Sequence, residues 1–335
     1  MCMKGSRVMV THTSLKRVNV GSNPTCPVNI WIDEMYKAYF LRNQRAKTGK
    51  SKYKRYTGLP LRYAGGKTRA VGYIIEHIPD NIETLVSPFI GGASIEIACG
   101  NELGIKVYGY DIFDILTNYW QVQLESPESL FEQLNQWSPT KEQYQQIKDR
   151  LKDHWNKEQL IEAPIELAAH YWFNHNLSYG PAFLGWLGKI NESYEKYARS
   201  LDRIRKFRCS LLSVECASFE DSIKNHHSDF PYCDPPYYLD DGKMFGGIYP
   251  QRNFPVHHKG FKHKQLRDLL YSHKPGFVLS YNDCDTIRNW YSDFKIVEVA
   301  WQYTLGQGET RIGKNRIEQG VNHIKKSHEL LIIKK

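Results

Sequence analysis

Several common sequence patterns are missing from this 335-residue chain, and each absence excludes a class of protein. No run of 18 or more apolar residues occurs, which argues against a membrane span. The first ten residues contain no apolar core of signal-peptide length, so secretion is not expected. The seven cysteines form no C-x-x-C pair and the 13 histidines no H-E-x-x-H motif. We therefore expect a cytoplasmic protein with reduced thiols and no metal site.

The positive charge of the chain is concentrated at one end. The net charge is +9, yet residues 1–58 hold 12 lysines and arginines against two acids, so the rest of the chain is almost neutral. We expect residues 1–58 to form a basic arm in which the stretch from Arg42 to Arg55 is solvated; the alternatives are an arm that contacts DNA phosphates and a flexible appendage. Any nucleic-acid surface on the main body must then be a local stripe of basic residues.

After residue 58 the chain alternates short β-type runs with helical patterns, which is typical of an α/β sheet domain. The alternation covers residues 59–126 and 208–335, whereas residues 127–207 contain consecutive helical patterns and no convincing strand. This break predicts a helical domain inserted between two halves of a sheet domain. The predicted strands are Thr84–Phe89, Lys106–Tyr110, Leu211–Glu215, Phe230–Cys233, Gly276–Ser280, Lys295–Trp301 and Glu329–Ile333. The predicted helices are Lys67–His77, Ser94–Cys99, Phe113–Leu124, Pro127–Trp137, Lys141–Trp155, Pro164–Asn174, Asn191–Phe207, Lys264–Tyr271 and Asp283–Tyr291.

The tetrapeptide Asp234, Pro235, Pro236, Tyr237 follows the apolar strand Phe230–Cys233 directly. Because two prolines have no N–H for a strand ladder, the strand must end there in a stiff loop. Carboxyl ends of strands bind ligands in open α/β sheets. A flat heterocycle with an exocyclic amine fits this loop, since Asp234 and the Pro235 carbonyl accept N–H bonds and Tyr237 stacks on the ring. The alternative is an Asp-Pro turn that only ends a strand.

Two further motifs lie near predicted strand ends. The run P-F-I-G-G-A-S contains Phe89 and Gly91 between a buried strand and a helix, where glycines let backbone N–H groups approach a ligand. Asp111 ends the next strand about 20 residues later, at the spacing of a carboxylate that bonds ribose hydroxyls. Asp111 also fits a helix N-cap, and both roles are compatible. The run L-R-Y-A-G-G-K, with Tyr63 and Lys67, precedes the first strand.

The order of these motifs resembles the Dam-like adenine-N6 DNA methyltransferases, specifically their alpha group. In that group the target-recognition region interrupts the fold between the cofactor half and the catalytic half. The likeness covers roughly residues 59–333. It implies an S-adenosylmethionine-dependent methyltransferase (Rossmann-like) sheet at 59–126 and 208–335, with a helical target-recognition domain at 127–207. It further implies methyl transfer to N6 of an adenine flipped out of double-stranded DNA.

The resemblance also implies roles for individual residues. Those that match cofactor positions are Tyr63, Lys67, Phe89, Gly91, Asp111 and Asp234. The catalytic loop corresponds to Asp234, Pro235, Pro236 and Tyr237. The segment from residue 171 to 185 is similar to the family's N-R-Y-G-Y-N-G region and leads into a basic helix, so the DNA-contacting candidates are Asn174, Tyr179 and Arg203.

Two positions depart from the family pattern, and several alternative functions stay open. Ala93 stands where a second glycine is usual, and Ser218 stands where related proteins often have Asp. The main interpretation is the modification enzyme of a restriction-modification system, in an undetermined oligomeric state. The alternatives are a non-catalytic DNA-binding protein on a methyltransferase body, or a methyltransferase acting on cytosine N4, RNA adenine or protein glutamine.

Overall fold

The computed structural model describes residues 28–47, 51–238, 260–299 and 329–335. Among these residues, no helix is long and apolar enough to cross a membrane. Two sequence expectations fall partly outside the described ranges: the first half of the basic arm, and the last residues of the predicted strand Lys295–Trp301.

Seven strands in the described ranges form one sheet, in the order β3-β2-β1-β4-β5-β7-β6. Strands β1 to β5 are mutually parallel, and β7 runs antiparallel between β5 and β6. The strands are β1 (Thr84–Ser87), β2 (Lys106–Asp111), β3 (Leu212–Cys216), β4 (Phe230–Cys233), β5 (Phe277–Asn282), β6 (Lys295–Val299) and β7 (Glu329–Lys334). The α/β fold predicted from the sequence is confirmed.

The helices of the described residues precede, connect and cover these strands. They are α1 (Val28–Gln44), α2 (Val71–Ile75), α3 (Ser94–Leu103), α4 (Asp114–Glu125), α5 (Pro127–Asn135), α6 (Lys141–Trp155), α7 (Pro164–Leu177), α8 (Tyr194–Lys206), α9 (Phe219–Asn225), α10 (His263–Ser272) and α11 (Asp285–Trp290). A 3-10 turn at Lys189–Asn191 lies between α7 and α8.

Helix α2 is shorter than the predicted Lys67–His77 because the residues before Val71 form a turn instead. The backbone N–H of Tyr56 donates to the Thr68 carbonyl, and Ala70 N donates back to Lys67 O. Gly65 in this turn has a φ of +75°, which glycine adopts at little cost. The turn directs Lys67 into the sheet edge described below.

The described second half of the basic arm packs against the body, and the solvation predicted for the stretch from Arg42 to Arg55 does not hold at Tyr53. Phe40 of α1 is buried, and Lys37 Nζ pairs with Asp80 Oδ1 at 2.9 Å. Tyr53 and Tyr56 are buried too. Apolar side chains spaced among many cations are enough to attach this segment to the body, because one face of a helix can bury them while the cations stay in water.

Four helices occur in the 127–207 segment, as predicted, and they pack closely against the sheet domain. Tyr171, Trp172 and Phe173 of α7 belong to the same hydrophobic cluster as Val107 of β2. The Trp172 indole donates to the Pro60 carbonyl at 2.9 Å. The helical segment is therefore held against the motif L-R-Y-A-G-G-K that precedes the sheet.

Candidate active site

The carboxyl ends of β1, β2 and β4 meet at one edge of the sheet. β1 lies between β2 and β4, so the strand order reverses there. A reversal of this kind opens a crevice in which open α/β sheets bind ligands. Gly91 follows β1, Asp111 ends β2 and Asp234 follows β4. Three of the residues chosen from the sequence thus lie at the same edge.

The turn between β1 and α3 is tightly held. Ile90 N donates to Tyr110 O at 2.8 Å, and the Trp120 indole donates to Gly91 O at 2.9 Å. Gly91 has a φ of +44° and Ala93 a φ of +53°. Ala93 therefore occupies a left-handed conformation that costs a non-glycine residue about 1 kcal/mol. The sequence analysis did not identify Trp120, a helical tryptophan with no motif around it.

The Tyr63 ring lies directly against this turn. A Cβ atom added at Gly92 would stand 2.6 Å from Tyr63 Cβ, and one added at Gly91 would stand 3.0 Å from Tyr63 Cε1. Both glycines are therefore needed for the ring to approach. On its other side Tyr63 contacts the ring of His175, with centroids 5.5 Å apart. Burial lowers the pKa of His175 to about 3, so this imidazole is neutral.

Asp111 binds the turn through its carboxylate. Oδ2 accepts from Gly91 N at 3.3 Å and Oδ1 accepts from Phe113 N at 3.1 Å. Because α4 begins at Asp114, Asp111 caps the connection before the helix and is not its N-cap. Burial raises the pKa of Asp111 to about 6, against the two backbone hydrogen bonds. A carboxylate has further lone pairs for a hydroxyl, so ribose binding stays compatible with these bonds.

Asp234 forms an ion pair with Lys67 across the edge. Lys67 Nζ lies 2.7 Å from Asp234 Oδ2, and the two side chains are 5% and 21% exposed. Burial raises the pKa of Asp234, and the positive charge of Lys67 opposes that shift. The other oxygen, Oδ1, is buried and has no hydrogen-bond partner among the described residues. One acceptor is thus held in place while the second is available to a ligand.

Tyr237 is fixed by the strand on the far side of β5. Its hydroxyl donates to Glu329 Oε2 at 2.8 Å, and the Lys67 ammonium lies 5.1 Å from its ring centroid. The next residue is held as well, because Asn282 Nδ2 donates to Tyr238 O at 2.7 Å. Strands β5 and β7 therefore position the loop predicted to be catalytic. Nothing in the sequence near Glu329 indicated this contact.

Phe89 points into an aromatic group rather than along the edge. Its ring centroid lies 5.7 Å from that of Phe219 and 5.6 Å from that of Phe261. Ser218, the second departure from the family pattern, is the N-cap of α9, where its Oγ accepts from Asp221 N at 3.1 Å. That position serves helix capping in this chain.

A buried acid that the sequence analysis missed lies beneath the edge. Glu96 in the first turn of α3 is 2% exposed, and its Oε1 accepts from Ser87 Oγ at 2.6 Å. Burial raises the pKa of Glu96 to about 7, and the charge of Asp234 adds to the shift. Despite these acids, no group of three or more His, Cys, Asp and Glu side chains in the described ranges could hold a metal ion.

The DNA-contacting candidates occupy different environments in the 127–207 segment. Asn174 is fully buried; its Oδ1 accepts from Leu184 N and its Nδ2 donates to the Tyr144 hydroxyl. It supports the following loop and does not reach the surface. Tyr179 is 60% exposed, and Arg203 is also exposed, on α8. Asn174 is therefore a supporting residue in the interior, whereas Tyr179 and Arg203 lie at the surface.

Comparison with known proteins matches residues 63–305 to the model of the D12 class N6 adenine-specific DNA methyltransferases. The chain belongs to this family. Its seven-stranded α/β sheet is consistent with a fold for S-adenosylmethionine-dependent methyl transfer. The D12 match begins at Tyr63 and includes Lys67, the glycine turn, Asp111 and the Asp234 loop.

Individual relatives of this D12-class chain are named as type II methyltransferases or as a modification methylase. The type II methyltransferase M.FokI of Planomicrobium okeanokoites is 24% identical over 220 residues, 61% of this chain and 33% of that protein. The modification methylase StsI of Streptococcus sanguinis is 26% identical over 251 residues, 69% and 36% respectively. The type II methyltransferase M.MjaIII of Methanocaldococcus jannaschii is 25% identical over 199 residues, 53% and 68%. The chain spans about a third of the length of the first two.

Proposed function

We propose that this chain transfers a methyl group from S-adenosylmethionine to N6 of an adenine flipped out of duplex DNA. The observation that supports this most directly is the Asp234 carboxylate. Lys67 holds Oδ2 at 2.7 Å, while Oδ1, at the switch point of the sheet, is buried and has no partner in the part of the chain that the structure describes. An amino hydrogen of adenine is the donor that this oxygen lacks.

The residues around the glycine turn fit the cofactor. At Gly91 and Gly92 any side chain would meet Tyr63, so the Tyr63 ring packs on the backbone of the turn, and Asp111 accepts from Gly91 N beside it. Phe89 lies in the same connection, with its ring against Phe219 and Phe261. When bound there, S-adenosylmethionine supplies a methyl group activated by a sulfonium. Tyr63 would support the adenosine or methionine portion, and Asp111 would accept a ribose hydroxyl hydrogen.

The protein's contribution to the reaction is to position and polarise the amine. The N6 lone pair of adenine is delocalised into the ring, which makes the amine a weak nucleophile. Asp234 Oδ1 and the Pro235 carbonyl would accept its two hydrogens and draw N6 toward tetrahedral geometry. Lys67 opposes the effect of burial on Asp234 and so favours the ionised carboxylate, the better acceptor. Pro235 and Pro236 keep the loop stiff.

A base inside a duplex cannot reach this edge, so the target adenine must leave the stack. Flipping costs a few kcal/mol in lost pairing and stacking. Tyr237, held by Glu329, would return part of that stacking energy from a ring with a fixed orientation. The helical segment 127–207 would recognise the DNA, with Tyr179 and Arg203 as surface contacts. Division of the chain into a methyltransferase domain at 59–126 and 208–335 and a recognition domain at 127–207 is part of this proposal.

The names of the relatives favour a role in restriction-modification, in which this chain would protect DNA against a partner endonuclease. That role, together with scattered cysteines lacking disulfide spacing, favours the cytoplasm as the compartment in which it would act. The family match favours adenine N6 over cytosine N4 and RNA adenine, and the intact Asp234–Lys67 pair favours an enzyme over a non-catalytic DNA-binding protein.

The test is transfer of labelled methyl groups from S-adenosylmethionine to an adenine-containing duplex. Asp234→Ala should lower the rate by at least about a hundredfold, because the amine loses the acceptor that orients it. Binding of S-adenosylmethionine should stay measurable. Asp268→Asn on the exposed face of α10 serves as the matched control and should keep the rate of the unchanged protein.

Two results would overturn the proposal. One is that no adenine in a library of duplexes is methylated, whether the methyl group goes to cytosine, to RNA or to no acceptor at all. The other is full activity in Asp234→Ala. Mapping the methylated bases in DNA from cells that express the chain would identify product and recognition sequence together.

A further inference from the structure

Four arginines from two distant parts of the chain converge beside the start of the site. Arg55 and Arg62 precede α2, and Arg199 and Arg203 lie one turn apart on α8. Trp172 joins the two parts: its indole donates to the Pro60 carbonyl at 2.9 Å, and its ring centroid lies 6.1 Å from that of Tyr197 on α8. We call these four residues the arginine cluster.

The positive charges of the arginine cluster repel one another. The pKa of Arg62 is lowered, first by burial and then by the charges of Arg203 and Arg55. The pKa of Arg203 is lowered by burial and then by Arg199 and Arg55. Among the described residues, no acid contributes an opposing effect to either group. Like charges held together in this way oppose folding, which a bound polyanion would reverse.

Neutral groups hold these side chains in place. Arg62 Nη1 donates to the Asn176 carbonyl at 2.7 Å and lies 3.4 Å from Asn191 Oδ1. Arg203 Nη2 donates to Ser200 Oγ at 2.8 Å. Within the described residues, the cluster makes a single ion pair, between Arg199 and Glu195 at 3.4 Å, and both of its side chains are strongly exposed. Such a surface pair contributes little.

The other cations at the end of α8 are paired with acids instead. Arg205 and Lys206 both contact Asp202, at 3.4 and 2.8 Å. Arg208 pairs with Glu128 of α5. The end of α8 therefore presents cations that are neutralised by acids, whereas Arg199 and Arg203 have no strong counter-ion among the described residues.

Exposed apolar side chains adjoin the arginine cluster. Trp186 is 81% exposed, Ile190 68% and Tyr194 62%. Asn191, which contacts Arg62, lies between the last two in sequence. Cations beside exposed aromatic groups are typical of nucleic-acid surfaces, where the cations meet phosphates and the rings meet bases. A free inorganic anion would need no such apolar neighbourhood.

We propose that the arginine cluster binds phosphates of the DNA backbone next to the target adenine. The identity of the polyanion rests on the proposed function. Arg62 is adjacent in sequence to Tyr63, whose ring contacts the glycine turn, so the backbone contact would lie one residue from the cofactor site.

The test is the salt dependence of DNA binding by the full chain, without cofactor. Each phosphate contact contributes about 0.9 to the slope of log K against log salt for duplex DNA. Arg55→Gln with Arg203→Gln should therefore lower the slope by about two between roughly 50 and 200 mM salt. Affinity at the lower salt should fall at least about tenfold. An unfolding temperature equal to or above that of the unchanged protein shows that the fold is kept, because the variant loses repulsion between like charges.

The matched control is Arg205→Gln with Lys206→Gln, which removes the same charge from the same helix at the paired positions. Its slope should stay within about half a unit of that of the unchanged protein. An equal loss of slope in both double variants, or none in the cluster variant, overturns the inference. Cluster-dependent binding to duplex RNA but not to DNA overturns it as well.

These results are distinguishable from a failure of the proposed function, because binding is measured without methyl transfer. A chain that shows the cluster-dependent slope but transfers no methyl group would overturn the catalytic proposal and keep this one. If the chain methylates adenine but the cluster variant keeps the salt slope of the unchanged protein, the arginine-cluster proposal is overturned and the catalytic proposal is kept.

Discussion

At the residue scale, the site depends on a few side chains whose second contacts decide what they can do. Lys67 is bonded to Asp234 and lies over Tyr237, while Tyr237 is bonded to Glu329. These contacts make a connected set in which each side chain limits the movement of the next. Pre-oriented groups lose little entropy when the substrate arrives, and orientation is a large part of catalysis in group transfer.

Removing the Tyr237 hydroxyl should allow the Tyr237 ring, which is proposed to stack on adenine, to change its orientation, while the ring itself is kept. Tyr237→Phe leaves the Glu329 carboxylate without this donor, so the free energy of unfolding should fall by about 1–3 kcal/mol. Turnover on a paired adenine should fall by about tenfold, and by less on a mismatched adenine, whose flipping costs less. Steady-state rates on both duplexes measure this.

Tyr271→Phe is the control for that variant, because it removes a hydroxyl that bonds Trp290 O at 2.8 Å at the other end of β5. The Tyr271→Phe variant should be less stable, but the ratio of its rates on paired and mismatched adenine should equal that of the unchanged protein. Equal losses on both duplexes in Tyr237→Phe would mean that the hydroxyl serves stability alone.

Gly92 tests the close approach of Tyr63 to the turn. In Gly92→Ala the new Cβ would lie 2.6 Å from Tyr63 Cβ, so the backbone around Tyr63 must shift. We expect affinity for S-adenosylmethionine, measured by calorimetry, to fall about tenfold or more, with a loss of about 1–3 kcal/mol in stability from overpacking. Gly180→Ala has open space around its Cβ and should change neither quantity. Unchanged cofactor affinity in Gly92→Ala would show that the position of Tyr63 does not matter for cofactor binding.

At the element scale, the connection between β1 and α3 carries both the glycine turn and a buried acid. Glu96 stands in the first turn of α3, where a helix favours negative charge, yet it is buried against Ser87 and near Asp234. When Glu96 is ionised, helix α3 therefore contains a buried negative charge that is unfavourable. Its protonation should be visible in the stability of the whole protein.

Because the folded-state pKa of Glu96 is raised to about 7 from 4.5, the folded state holds the proton more tightly than the unfolded one. Stability should therefore fall as pH rises between these two values and then level off. The contribution is at most about 3.5 kcal/mol, at about 1.4 kcal/mol per pKa unit. Denaturant unfolding across about pH 5 to 8 should show it.

Glu96→Gln keeps an oxygen acceptor for Ser87 and removes the charge, so this part of the pH dependence should disappear. Asp268→Asn provides an exposed acid as control. Asp111, with a raised pKa of about 6, contributes in the same direction at lower pH in both variants. An identical pH profile in Glu96→Gln and the unchanged protein would show that Glu96 does not titrate in this range.

At the scale of the whole molecule, one sheet and one helical segment bring three candidate sites together. The sheet edge holds the candidate cofactor and adenine sites, and the helical segment carries two residues of the arginine cluster, Arg199 and Arg203. The run Arg62 to Lys67 connects them, because Arg62 contacts Asn176, Tyr63 contacts His175, and Lys67 contacts Asp234. Binding of DNA and of cofactor should therefore be coupled, each raising the affinity for the other.

The sequence by itself determined the α/β fold, the helices of the 127–207 segment and the family. These features rest on local signals: the prolines after Cys233 stop a strand wherever it lies, and the Lys141–Trp155 pattern forms a helix with those bounds. The motif order needed no contacts either. Local residue chemistry and spacing were sufficient for all of them.

Only the tertiary structure decided which atoms of those motifs meet. The Glu329 bond to Tyr237, the Trp120 bond to the glycine turn and the burial of Glu96 join residues without a shared motif. Packing likewise buries Asn174 in the interior and Phe40 against the body. Contacts of this kind depend on how distant segments are folded together, which neither composition nor spacing records.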